Sequence, residues 1–215
     1  MKLLIKPLLI FLFFISGTLF AQTASPSAVL IMNKTAQKYN AFSAFSLDFK
    51  MDIAADGKKM YNIDGVLLVK KEKYHLTMED QVVANDGKMM WNYQKSANEV
   101  SLFEAEDDEF MMFHPLTMLQ DWDKQYSAKF ICEEEFQKKR ANILDLKPKI
   151  SSPFNKIRLY IDKSTSHILQ VIMYDPDEVT FTYTVMKFTP NAVAEDNKFT
   201  FNKKEYKDVH VNDMR

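Results

Sequence analysis

The sequence predicts a mainly β (α+β) fold: an unclosed antiparallel β-barrel, or strongly curved sheet, with one N-terminal helix and a short helical lid. Apolar and polar residues alternate along most of the chain from Phe45 onward. Tight-turn pairs, Asp56-Gly57 and Asp86-Gly87, punctuate that alternation. No long helical pattern separates the alternating runs, which favours a meander over a parallel sheet.

Ser25-Pro26 opens the one helix, with serine expected to cap its free amides and proline fitting the first turn. Val29, Met32, Ala36 and Tyr39 recur at helical spacing, so one face should be packed, and the helix should end near Asn40. From Phe45 the period becomes two. Phe45, Leu47, Phe49, Met51 and Ile53 give a first strand with one apolar face. The next strand places Tyr61, Ile63, Leu67 and Val69 on one face, and Gly65 suggests a bulge or bend within it. Further strands are expected at Tyr74–Met78, at Met89, Trp91 and Tyr93, and at Val100 and Leu102. The second half adds Tyr126–Cys132, Ile143–Leu146, Ile157–Ile161, Ile168–Tyr174 and Val179–Phe188. In the last of these the apolar phase shifts at Met186 and Phe188, the mark of a bulge. Phe199 and Phe201 are expected in a final short strand, bringing the total to about ten.

The first residues read differently. Lys2 and Lys6 precede the apolar run from Leu8 to Phe14, extended by Ile15, Leu19 and Phe20 and followed by Ala21. This is the pattern of a secretory signal peptide cleaved near Ala21, which predicts a periplasmic protein with residues 22–215 as one domain. The competing reading is a membrane anchor, for which about 20 apolar residues are needed and this stretch is barely long enough. Cys132 is the sole cysteine, so no intramolecular disulfide forms and no cysteine near Ala21 is available for acylation. Cys132 is expected to be a small buried hydrophobe on a strand.

The formal net charge is −1, and arginine occurs only at Arg140, Arg158 and Arg215. No basic stripe for nucleic acid or an anionic surface is visible. His75, His114, His167 and His210 are scattered, without metal-ligand spacing. No nucleophile elbow or glycine-rich phosphate loop occurs. A carboxylate-based hydrolase is not excluded by sequence, but no enzyme motif supports one.

One segment breaks the alternation. An acidic run from Glu104 to Glu109 leads into Phe110, Met111, Met112 and Phe113, then Leu116, Met118, Leu119 and Trp122. An exposed insert this apolar must be covered or bind something. These residues are expected to form a lid, either completing the core or moving over a ligand cavity. The chain has 13 methionines, a flexible, polarisable side chain suited to variable apolar guests.

Asn85-Asp86-Gly87-Lys88-Met89-Met90-Trp91-Asn92-Tyr93 with Asn98-Glu99-Val100, Leu146-Lys147-Pro148 before Ile157-Arg158-Leu159-Tyr160-Ile161-Asp162, and Lys198-Phe199-Thr200-Phe201 occur in order along the chain. Together with Gly65–Lys70, this ordered set resembles the LolA family of outer-membrane lipoprotein carrier proteins. The resemblance implies an unclosed barrel whose concave face holds the acyl chains of lipoproteins or another lipid. It implies a monomer, without a cofactor, that takes cargo from an inner-membrane ABC transporter and hands it to an outer-membrane receptor. The expected cavity lining is Phe45, Leu47, Phe49, Met51, Ile63, Leu67, Val69, Tyr74 and Trp91. The sequence departs from the family where a Lys-Arg-Pro-x-x-Phe element is usual. Here it reads Lys70-Lys71-Glu72-Lys73-Tyr74, so Lys71 stands as a lid latch in the arginine's place, or as an ordinary surface lysine, and Tyr74 replaces the phenylalanine. An envelope lipid sensor with the same cavity, reporting through a protein partner, and a purely structural protein with a filled interior are the alternatives.

Overall fold

The computed structural model describes residues 25–105 and 118–215. A 15-residue helix, α1 (Pro26–Asn40), precedes one sheet of twelve strands. The first six are β1 (Phe45–Ala55), β2 (Lys58–Lys70), β3 (Lys73–Met78), β4 (Gln81–Asn85), β5 (Met89–Gln94) and β6 (Glu99–Glu104). After a short helix α2 (Trp122–Gln125) come β7 (Tyr126–Phe136), β8 (Lys139–Pro148), β9 (Lys156–Asp162), β10 (Ile168–Tyr174), β11 (Val179–Pro190) and β12 (His210–Asp213).

The spatial order is β12-β6-β5-β4-β3-β2-β1-β11-β10-β9-β8-β7, so two antiparallel meanders meet where β1 pairs with β11. The sheet is curved and unclosed, as expected. Two strands were not expected: β4, and β12, which runs parallel to β6 from His210–Glu99 to Asp213–Leu102. The strand expected at Phe199–Phe201 is instead a 3-10 turn over Asp196–Phe199 that buries Phe199 completely. The apolar pair there serves packing rather than strand pairing.

One face of α1 is buried through Ala28, Met32, Thr35 and Tyr39. Ser25 does not cap the helix with its side chain. Its amide donates to the Ala128 carbonyl (3.0 Å), and its Oγ accepts from the Phe130 amide (3.1 Å), tying the start of α1 to the outer strand β7. Those contacts occupy part of an otherwise open sheet edge. At the far end of α1 the Ile168 amide donates to Tyr39 Oη (3.1 Å), fixing the helix over β10.

The expected bulge near Met186 is present: Lys187 opposes Asp48 and Val185 opposes Phe49, leaving Met186 as the extra, exposed residue. Gly65 marks no bulge; it pairs in register with Phe49 on one side and Met78 on the other. The glycine is needed because the Phe49 ring lies over it: a β-carbon there would sit 2.4 Å from Phe49 Cζ. Gly65→Ala should therefore displace a ring that is only 6% exposed and cost about 1–3 kcal/mol in urea unfolding, with Phe49→Leu recovering part of the loss. An unchanged midpoint would show that the ring gives way freely. Tyr61, expected on the apolar face, is largely exposed because the outer end of β2 extends past the packed core. Cys132 is half-buried on β7, beside Ile143 and Tyr160.

Candidate functional site

The largest apolar cluster lies between α1, α2 and the concave face of β1–β5 and β7–β11. It is not filled. A cavity of about 200 Å³ opens between the sheet and its covering segments. Its floor is Leu47 and Phe49 of β1, Leu67 of β2, Ile157 of β9, Ile168, Val171 and Met173 of β10, and Tyr183 and Val185 of β11. Tyr39 of α1, Met118, Gln125, Tyr126 and the loop Ser152-Pro153-Phe154 form the cover. The floor residues face inward by strand alternation, except that on β10 a bulge between Ile168 and Gln170 brings Ile168 to the same face as Val171 and Met173. The β1–β11 register sets Phe49 against Val185 and Met51 against Tyr183.

Among the described residues, no charged side chain belongs to this lining. Burial pushes the phenols of Tyr39, Tyr126 and Tyr183 above their ordinary value, with the Ile168 amide partly countering this at Tyr39. All three are neutral near neutral pH. Among the described residues, the lining thus holds no nucleophile–base pair, and no group of three or more His, Cys, Asp or Glu side chains is placed to hold a metal. What the site offers chemically is apolar contact with a few neutral polar groups at its rim.

Of the residues expected to line a cavity, Leu47, Phe49 and Leu67 do so. Phe45, Met51, Val69 and Tyr74 are on the same side but locked into the packed cluster, and Ile63 lies against it. Tyr74 Oη donates to Met90 Sδ at 3.8 Å. Trp91 is a correction. On β5 it is Met90 that faces the concave side; Trp91 and Tyr93 point to the opposite face and pack with Leu102 and Val209 beneath the C-terminal segment. Alternation shows that Trp91 and Tyr93 share a face but not which face is covered by what.

The lid residues Phe110, Met111, Met112, Phe113 and Leu116 lie outside the described residues. Met118 borders the cavity, and Leu119 and Trp122 are buried in the same cluster. The Trp122 Nε1–H donates to Asn33 Oδ1 (3.0 Å), joining the end of this segment to α1. Lys71 sits at positive φ at the tip of the β2–β3 turn, exposed; its neighbours Lys70 and Lys73 both hold Asp196 (3.1 and 3.3 Å).

The family model for the outer membrane lipoprotein carrier protein LolA matches residues 43–202. The chain belongs to the LolA family. Among solved structures, this LolA-family chain is similar to an uncharacterized conserved protein from Thermus thermophilus. The TM-score is 0.60 at 14% identity, covering 87% of this chain and 99% of that one. It is also similar to a chain in the complex of MucA and MucB from Pseudomonas aeruginosa, with a TM-score of 0.51 and 15% identity, over 83% of this chain and 62% of that one. At these identities the likeness is one of fold. A curated relative, an uncharacterized protein of Methanocaldococcus jannaschii, is 25% identical over 199 residues. That match covers 91% of this chain and 58% of the relative, so the chain spans little more than half of that relative's length.

Proposed function

We propose that this LolA-family chain is a non-enzymatic carrier that shelters acyl chains of lipoproteins, or of another lipid, while they cross the aqueous part of the cell envelope. The observation that carries the reading is the uncharged cavity between α1 and the concave sheet. Each methylene removed from water contributes roughly 0.8 kcal/mol, so a single long acyl chain gains on the order of 10 kcal/mol. The cavity as it stands is a little larger than one of about 150 Å³ that admits benzene, and below the roughly 300–1,000 Å³ of common ligand pockets. It therefore accepts the leading carbons of a chain. A whole chain enters only as cover residues such as Met118 and Phe154 give way, and displacing those contacts offsets part of the gain. This keeps binding reversible. In this reading residues 1–21 are a cleaved signal, residues 22–215 are one periplasmic carrier domain, and the protein works as a monomer between an inner-membrane ABC transporter and an outer-membrane receptor.

The test is native mass spectrometry of the protein isolated from the envelope, followed by incubation with acceptor vesicles. A carrier arrives with lipid or lipoprotein bound and passes it on. Protein that arrives empty and takes up no fatty-acid probe would end the proposal. Lipid that is bound but never transferred would favour a sensor that reports through a protein partner.

A further inference from the structure

A second cavity lies on the other face of the sheet. It occupies about 580 Å³ between the convex side of β3 and β4 and the C-terminal strap of residues 197–206. This volume falls within the range of small-molecule sites, roughly 300–1,000 Å³. Its floor is a cross-strand row: His75 on β3 stands opposite Ala84 on β4, with Val82 beside them. The strap above is fixed at both ends. Asp196 is held by Lys70 and Lys73, and Phe199 is fully buried. Further along, Phe201 and Tyr206 stack on each other (4.5 Å between centroids) and pack on Tyr93 of β5. The hollow between these anchors is thus a feature of the fold.

Its two ends differ in charge. At the β3 end Lys198 lines the cavity together with His75, and its charge disfavours a proton on that ring, after burial, which is the larger cause. Lys70 and Lys73 share the single carboxylate of Asp196, leaving a positive surplus on the same side. At the β5 end is Glu205, whose Oε1 accepts from Asn202 Nδ2 (2.7 Å), next to the Tyr206 ring. Two strand spacings, about 10 Å, separate β3 from β5.

We infer that this convex cavity is a binding site for a small zwitterion, with an acidic group, best a phosphate monoester or diester, at Lys198 and His75 and an ammonium at Glu205. Asn197 and Asn202 on the strap supply neutral hydrogen bonds between the two. The site is separate from the acyl cavity and does not depend on it. Phosphoethanolamine has this chemistry, free or as the headgroup of a lipid.

The probe is O-phosphoethanolamine, titrated into the purified protein while the His75 ring is followed by NMR. Saturable shifts are expected, with the His75 pKa rising as the bound phosphate offsets Lys198. Lys198→Met should weaken binding at least about tenfold, a loss of one charge-assisted hydrogen bond. Glu205→Gln should weaken phosphoethanolamine but leave inorganic phosphate unchanged. Both side chains are exposed, so the thermal midpoint should hold. Sedimentation with phosphatidylethanolamine vesicles, but not phosphatidylcholine vesicles, would assign the headgroup to a membrane; binding of the soluble compound alone would assign a free metabolite. No saturation below about 10 mM, wild-type affinity in Lys198→Met, or equal affinity for inorganic phosphate would overturn the site.

Discussion

Val171→Trp should leave the protein folded and sharply weaken the acyl-chain binding proposed for the cavity. Val171 is on the cavity floor, in the middle of β10, opposite Leu159 on one side and Tyr183 on the other. An indole is one ring larger than benzene, which a cavity of about 150 Å³ admits, so it fits the roughly 200 Å³ present here. Filling a void recovers dispersion contacts that its lining lacks, so stability should hold or rise rather than fall. Cargo affinity, in contrast, should drop by at least tenfold, because the first carbons of the chain lose their place. The control is Thr182→Trp, on the outer face of β11 and paired with Ile172 and Asp52. It should bind a fluorescent fatty acid like the wild type. If Val171→Trp also bound normally, with an unchanged urea midpoint, the chain would have to be held elsewhere.

Much of the fold was legible because the sheet is half-buried, and a half-buried strand writes its inward face into every second residue. β1 is the clearest case: Phe45, Leu47, Phe49 and Met51 are all buried while Ser46, Asp48 and Lys50 are not. β4 was lost because Val82, Val83 and Ala84 are apolar in succession, with Val83 packed on the concave side and Val82 on the convex side. Burial on both faces erases the alternation. β12 was lost for the opposite reason: its four residues, His210–Asp213, are mostly exposed, and the strand owes its place to backbone pairing with β6. Gly65 misled because a missing side chain reads alike whether the chain bends or a neighbour's ring needs the space.

The cavity was legible only on one wall. Leu47, Phe49 and Leu67 follow from alternation, but Tyr183 and Val185 join them only through the β1–β11 pairing, which links residues more than a hundred positions apart. Ser152, Pro153 and Phe154 have no periodicity to reveal them. The convex cavity needs the strap to fold back over β3 and β4, and no local signal near Lys198 or Glu205 announces that.

Asp162 should carry a large acid-dependent contribution to stability. It ends β9 with only 3% of its surface exposed. Burial by itself would raise its pKa. The Ser164 hydroxyl (2.6 Å) and the amides of Ser164 (2.9 Å) and Thr165 (3.2 Å), all donating to Oδ1, more than reverse that and hold it at about 2. Lys139 approaches Oδ2 at 3.5 Å. A carboxylate whose folded pKa is below its unfolded value stabilises the fold at every pH above the unfolded value. The contribution is lost as pH falls from about 4 through about 2, and its size here is on the order of 2 kcal/mol. Asp162→Asn keeps the shape of the turn and one acceptor but removes the charge. It should be less stable than the wild type by up to about 2 kcal/mol at pH 7, and the two should converge near pH 2 in urea unfolding followed by circular dichroism. Parallel stability curves across that window would rule the assignment out. The same turn runs through Ser166, whose amide donates to the Asp162 carbonyl (2.8 Å), and His167 into Ile168, the residue that holds Tyr39 over the cavity. Loosening it should therefore free the end of α1 as well, so Asp162→Asn is expected to release bound lipid faster than the wild type at neutral pH, while Thr182→Trp does not.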